Sequence, residues 1–233
     1  MFEDIIFPLR KLLFHDDVKL LAIASEHSYA DSYVGVKKGT SRFFNKVKSR
    51  CSYSKFLVDA TKNVVIEEMQ KVCNSDLAVI FYSGHGGHQK SKSEPDGYDE
   101  YIVLYDKPLF DNEIWPIVSK AQGRVLTIFD CCYAGTMFRN SCQSYPVPFS
   151  FKNSDDSVDL MCWSACAENT VSYGTNVSGG FFTSALVKAI KATSTYEDVW
   201  KTITKNSTLS ARQTAQRTIL RTNTKFKHKK FLS

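Results

Sequence analysis

The sequence predicts an α/β fold built on a mainly parallel sheet, and three observations carry that prediction. Short apolar runs rich in β-branched residues recur along the chain, stretches of helical period lie between them, and 233 residues at 43% apolar content can bury one sizeable core. A single domain over residues 1–233 is expected.

The candidate strands are residues 18–24, 55–58, 77–82, 124–129 and 159–164. Each is short, bounded by polar or turn residues, and apolar on both alternating sides, which is the pattern of a strand covered on both faces. Helical period covers residues 63–73, where Thr61 stands ready to cap and Val64, Ile66, Met69 and Val72 fall near one side. Residues 182–192 follow the pair Gly179-Gly180, and residues 196–206 follow Thr195, whose spacing to Asp198 is that of a capping box. Two stretches lack periodicity and read as long loops: acidic residues 94–113, and residues 139–156 with Pro146 and Pro148.

Composition removes several classes of function. No run of about 18 uncharged apolar residues exists, so no spanning helix is expected; the opening stretch carries Glu3, Asp4 and Pro8 and reads poorly as a signal peptide. A cytoplasmic protein is expected. Seven cysteines, an odd number without regular spacing or a C-x-x-C pair, indicate free thiols, not a disulfide framework or a zinc site. Net charge is +6, yet residues 201–233 hold nine Lys and Arg with no acid, leaving 21 basic against 24 acidic residues elsewhere. The basic tail has no aromatic-interleaved motif beside it, so it reads as a solvated end, and no nucleic-acid or membrane partner is expected.

Chemistry concentrates at the ends of two candidate strands. Residues 77–82 run into Ser83-Gly84-His85-Gly86-Gly87, where glycines leave room for a ligand backbone beside an imidazole. Residues 125–129 run into Asp130-Cys131-Cys132-Tyr133-Ala134-Gly135, which sets a thiol at the mouth of the sheet, at or near the start of a following helix whose N–H groups would favour thiolate. In parallel sheets such ends open on one crevice, and a cysteine nucleophile needs a nearby base, the role histidine fills. Either motif alone fits a turn histidine or buried thiols; their joint placement points to catalysis.

These two motifs, in this order, resemble the His and Cys motifs of metacaspases and prokaryotic caspase-like peptidases. The stretches Ser164 to Asn169, Gly179 to Thr183 and Arg212 to Gln216 resemble further parts of that family, with Ala215 where the family has proline. The resemblance implies a three-layer caspase-like fold, a mostly parallel six-stranded sheet flanked by helices. Residues 1–138 would form a large-subunit-like portion, 139–157 a junction loop, and 158–233 a small-subunit-like portion.

It also implies roles. Cys132, second of the doublet, would be the nucleophile and His85 its base; the backbone N–H groups of Cys132 and Gly86 would form the oxyanion hole; Asp130, Ser83 and Ser164 would contact substrate. A carboxylate at Asp130 would favour cleavage after Arg or Lys. The pattern departs from metacaspases where a second pocket Asp is expected, since Lys38 or Gly39 stands there. No cofactor is required, but Asp96 to Glu100 with Asp111 to Glu113 offers hard oxygens through which calcium could activate. The partner is a polypeptide substrate, and Arg139 and Lys152 in the junction loop are candidate self-processing sites. The competing readings are a catalytically silent scaffold and a same-fold peptidase of other specificity.

Overall fold

The computed structural model describes residues 16–33, 35–92, 97–138, 159–166, 174–175, 179–211, 213–220 and 226–232. In chain order the elements are β1 (Val18–Ala24), α1 (Val36–Val47), β2 (Tyr53–Val58), α2 (Lys62–Cys73), β3 (Leu77–Ser83), β4 (Gly86–Lys90), β5 (Tyr98–Val103), β6 (Pro108–Phe110) and α3 (Asp111–Val118). They continue with β7 (Arg124–Asp130), β8 (Leu160–Ser164), β9 (Gly174–Thr175), β10 (Gly179–Gly180), α4 (Phe181–Ala189), α5 (Tyr196–Thr204), α6 (Ser207–Ser210) and β11 (Gln216–Leu220).

Six strands form one sheet in the order β11-β8-β7-β3-β1-β2, parallel except for β11, which runs antiparallel to β8. Burial explains the apolar runs: all seven residues of β3 are buried, and alternate side chains enter opposite layers. Leu20, Val79, Phe81, Leu126 and Trp163 face the layer packed by α1, α4 and α5. Leu21, Ile23, Ile80, Val125 and Phe129 face that of α2 and α3. At roughly 1.5–3 kcal/mol for each fully buried large side chain, both faces of these strands are committed. The mostly parallel six-stranded sheet between helices is the expected α/β architecture.

Three elements depart from the expectation. Residues 36–47, for which no element was expected, form α1, which buries Val36, Thr40, Phe43 and Val47. Gly35 (φ 101°), Gly39 and two lysines in the first turn disguise that stripe. Residues 94–113 are not one loop: β4, β5 and β6 form a separate antiparallel sheet, and α3 follows with Pro116 inside it, a residue that ordinarily ends a helix. Polar β11 was not expected as a strand. The junction loop, with Arg139 and Lys152, lies outside the described residues. Among the described residues no helix is long and apolar enough to cross a membrane.

Candidate active site

Register brings the two motifs together. In the parallel pair β3/β7, Tyr82 lies opposite Phe129 and Ser83 opposite Asp130. His85 and Cys132 each follow two residues past that last pair, so their loops leave adjacent strand ends side by side. Gly86 packs directly on the cysteine turn: a Cβ added there would collide with the Cys132 carbonyl oxygen and sit 2.9 Å from Cys131 Sγ. Only glycine allows this approach.

Two tyrosines fix the histidine loop. Tyr82, fully buried, directs its hydroxyl to the carbonyl oxygens of His85 (2.7 Å) and Val103 (2.8 Å), tying the loop to β5 from below. From the other side the Tyr33 ring stacks on the His85 imidazole at 5.1 Å. Tyr33 is delivered by a tight loop whose Tyr33 N–H donates to Glu26 O at 2.7 Å, while the N–H groups of Glu26 and His27 both donate to Asp59 Oδ1 at 2.8 Å. Burial first, then the nearby Asp130, Cys132 and Cys131, push the Tyr33 phenol up to about 12, so it stays protonated. Nothing in the sequence singled out Tyr33, one aromatic in a polar loop; its role comes from where the loop folds back.

The adjacent cysteines differ sharply. Cys131 is 1% exposed, and Cys166 Sγ donates to its carbonyl oxygen at 3.1 Å. Burial above all, then the neighbouring Cys166 and Cys132, hold the Cys131 thiol well above its ordinary range. Cys132 is half-buried and reaches the surface. The element after it is not the expected helix but a single 3-10 turn, Ala134–Thr136, preceded by Tyr133 in the left-handed region at φ 57°. Such a conformation is uncommon for a bulky residue. The Tyr133 ring lies 4.4 Å from that of His88, which stacks in turn on Tyr98 at 4.5 Å.

The expected substrate-contacting side chains sit deeper than the crevice rim. Asp130 is 2% exposed, and its Oδ2 accepts from both the N–H (3.1 Å) and the hydroxyl of Thr183 in the first turn of α4. It thus caps α4 from a distant strand, a place where a carboxylate is favoured. Gly180 is what admits it, since a Cβ there would strike the carboxylate. Ser164 is buried and donates to Ala134 O at 2.6 Å, bracing the cysteine turn; Ser83 is buried, and its carbonyl oxygen accepts from Ser25 N at 2.9 Å. Where a second pocket Asp would stand, Gly39 is buried with its would-be Cβ 3.5 Å from Gly179 Cα, while Lys38 is exposed.

Two acids of the acidic segment, Asp99 and Asp111, are engaged within the fold. Asp99 Oδ2 accepts from Asn112 Nδ2 at 2.9 Å, and Asp111 Oδ2 from Phe138 N–H at 3.3 Å. Among the described residues no group of three or more His, Cys, Asp or Glu side chains is placed to hold a metal ion; Asp96 lies outside the described residues.

A thiol and an imidazole thus stand at adjacent carboxyl ends of a parallel sheet, where such sheets place their ligand sites. The sequence profile of the caspase domain matches residues 38–228, so the chain belongs to the caspase-domain family. It is 26% identical to Metacaspase-3 of Trypanosoma cruzi, over 45% of this chain and 37% of that protein, so the match spans little more than a third of that relative. Two solved structures share the fold. Protein GSU0716 of Geobacter sulfurreducens has a TM-score of 0.70 at 21% identity, covering 90% of this chain and 96% of the other. Caspase-1 of Spodoptera frugiperda has a TM-score of 0.61 at 11% identity, covering 88% and 87%.

Proposed function

We propose that the chain hydrolyses peptide bonds inside polypeptides with Cys132 as nucleophile and His85 as general base. The observation that carries this reading is the pairing of a surface-reaching Cys132 with the His85 loop across the β3/β7 register, while Cys131 is buried beneath. His85 takes the thiol proton and the thiolate adds to the substrate carbonyl. The resulting oxyanion accepts hydrogen bonds from the backbone N–H groups of Cys132 and Gly86; one such donor typically contributes about 10²–10³ in rate. Collapse breaks the C–N bond, and the imidazolium protonates the leaving amine. A water deprotonated by His85 then hydrolyses the thioester, releasing the acid and restoring the thiol.

Cleavage after Arg or Lys is the specificity assigned, supported by Asp130, the carboxylate directly behind the nucleophile. The test is a panel of fluorogenic peptides ending in Arg, Lys, Asp, Asn or Leu, run beside Cys132→Ala, Cys131→Ala and His85→Ala. Hydrolysis should vanish in the first and third and survive in the second; a wild type that cleaves nothing would favour a scaffold. Asp130→Asn should lower the Arg-to-Leu preference at least about tenfold if its charge recognises substrate. An unchanged preference with a lowered Tm would leave it a helix cap only. No step runs through a metal; arms with calcium and with a chelator test whether residues 96–100 and 111–113 respond to the ion. Self-processing at Arg139 or Lys152 would appear as a cleaved band in the wild type and not in Cys132→Ala.

A further inference from the structure

The chain between Asp31 and Asp59 holds seven Lys and Arg and no acidic residue. Lys37, Lys38, Arg42 and Lys46 lie exposed on α1, with Lys48 just past its end. Lys38, Arg42 and Lys46 follow at i, i+4 and i+8, which sets them in one stripe along the helix.

Local physics opposes this arrangement. Cations in a first turn face the positive end of the helix dipole, and like charges four apart repel. α1 has no acidic residue in its own first turn; the carboxylate at its amino end comes from outside the helix, Glu26 Oε2 accepting from the Lys37 N–H at 3.1 Å. By contrast α5, packed in the same layer, opens with Glu197 and Asp198 and a complete capping box. Among the described residues no carboxylate forms an ion pair with the side chain of Lys37, Lys38, Lys46 or Lys48. The apolar side of α1 already secures it to the sheet, so folding gives no reason for Lys38 and Lys46. Repulsion at Lys38 and Lys46 that no ion pair among the described residues offsets is where a binding role is to be sought.

Position says what binds. α1 begins three residues after Tyr33, whose ring covers His85, and Gly39 packs against Gly179 beside the Asp130 cap. The stripe therefore starts at the rim of the crevice and leads away from it. The large exposed apolar side chains, Tyr29, Val64, Tyr98, Tyr105 and Ile219, all lie off α1. The half-buried Phe44 ring is stacked on Phe56 and lies under Lys48, so α1 presents charge with no exposed ring for base stacking and no exposed apolar group for a bilayer.

We propose that the exposed face of α1 is an exosite for an acidic stretch of the polypeptide substrate, flanking the scissile bond. This rests on the peptidase reading. Twelve helical residues span about 18 Å, the reach of about five extended residues, so a run of five or so Asp and Glu would cover it.

The test compares one cleavable core peptide alone, extended by an acidic run, and extended by a Gly/Ser/Gln run of equal length. Each is assayed at low and high salt with the wild type, with K38Q/R42Q/K46Q and with K38Q/K46Q. At low salt the acidic extension should lower KM about tenfold. High salt and both variants should erase that gain, while kcat and cleavage of the core alone stay within about twofold and the variants' Tm matches or exceeds the wild type's. Equal KM for both extensions in the wild type would overturn the proposal, as would variants that slow the bare core equally. If the wild type cleaves no peptide, the peptidase reading falls and the exosite is judged separately, by anisotropy of the labelled acidic peptide on Cys132→Ala. Salt-sensitive binding lost in the lysine variants supports it; no binding, or displacement by duplex DNA far below the acidic peptide's own concentration, rejects it.

Discussion

The turn after β7 has an inner side and an outer side that share a covalent backbone and almost nothing else. Inward, Cys131 lies in a dry layer with Cys162 and Cys166, its thiol held protonated by burial. Outward, Cys132 meets the crevice beside the His85 loop under Tyr33. Two identical side chains, one peptide apart, are thus given opposite surroundings, one buried and one half-exposed, by the strand geometry that separates their directions. Reactivity is a property of the surroundings and not of the residue.

The largest test of that contrast is removal of each thiol. Cys132→Ala should cost about 10⁴ or more in kcat, whereas Cys131→Ala should keep activity within about tenfold and lose stability instead. Equal losses would abolish the distinction. Next, iodoacetamide added to the native protein at pH 8, read by peptide mass mapping, should label Cys132 and spare Cys131 until urea is present. A smaller effect is expected over the imidazole: Tyr33→Ala should lower kcat about tenfold with little change in KM, and Tyr33→Phe, which keeps the stack, should restore most of it.

The cap on α4 comes below these. Thr183→Val should destabilise by about 1–3 kcal/mol, seen in urea midpoints, with Thr183→Ser close to the wild type. The smallest effect is in pH. A thiol whose folded value is raised above its ordinary 9.0 binds its proton more tightly in the native state. Its contribution is therefore full below pH 9 and lost as pH climbs beyond it, because the unfolded chain ionises there first. Urea midpoints at pH 8 and 10 should fall less steeply in Cys131→Ala.

Much of this was legible in the residues. Strands buried on both sides announce themselves as apolar runs, and Thr195 with Asp198 did form the capping box its spacing implied. The motifs at the ends of β3 and β7 were legible because loops at strand ends carry function. What failed has physical causes. α1 hides its stripe behind Gly35, Gly39 and unfavourable lysines. The β4/β5/β6 sheet and α3 sit in a polar, proline-bearing stretch, where pairing across strands and not local preference decides. Tyr33 and the engagement of Asp130 by Thr183 depend on contacts 52 and 53 residues apart in sequence, His85 to Tyr33 and Thr183 to Asp130, which no local pattern encodes.

The register of β3 against β7 has a kinetic meaning as well. His85 and Cys132 are separated by 47 residues, and their loops come side by side only when Ser83 pairs with Asp130. A slip of one residue would turn every side chain of the strand to the wrong layer and shift one loop against the other. Return of enzymatic turnover after denaturant dilution is therefore a clock for one long-range event, the pairing of two central strands. It should lag behind recovery of helical ellipticity, since non-local parallel contacts close late.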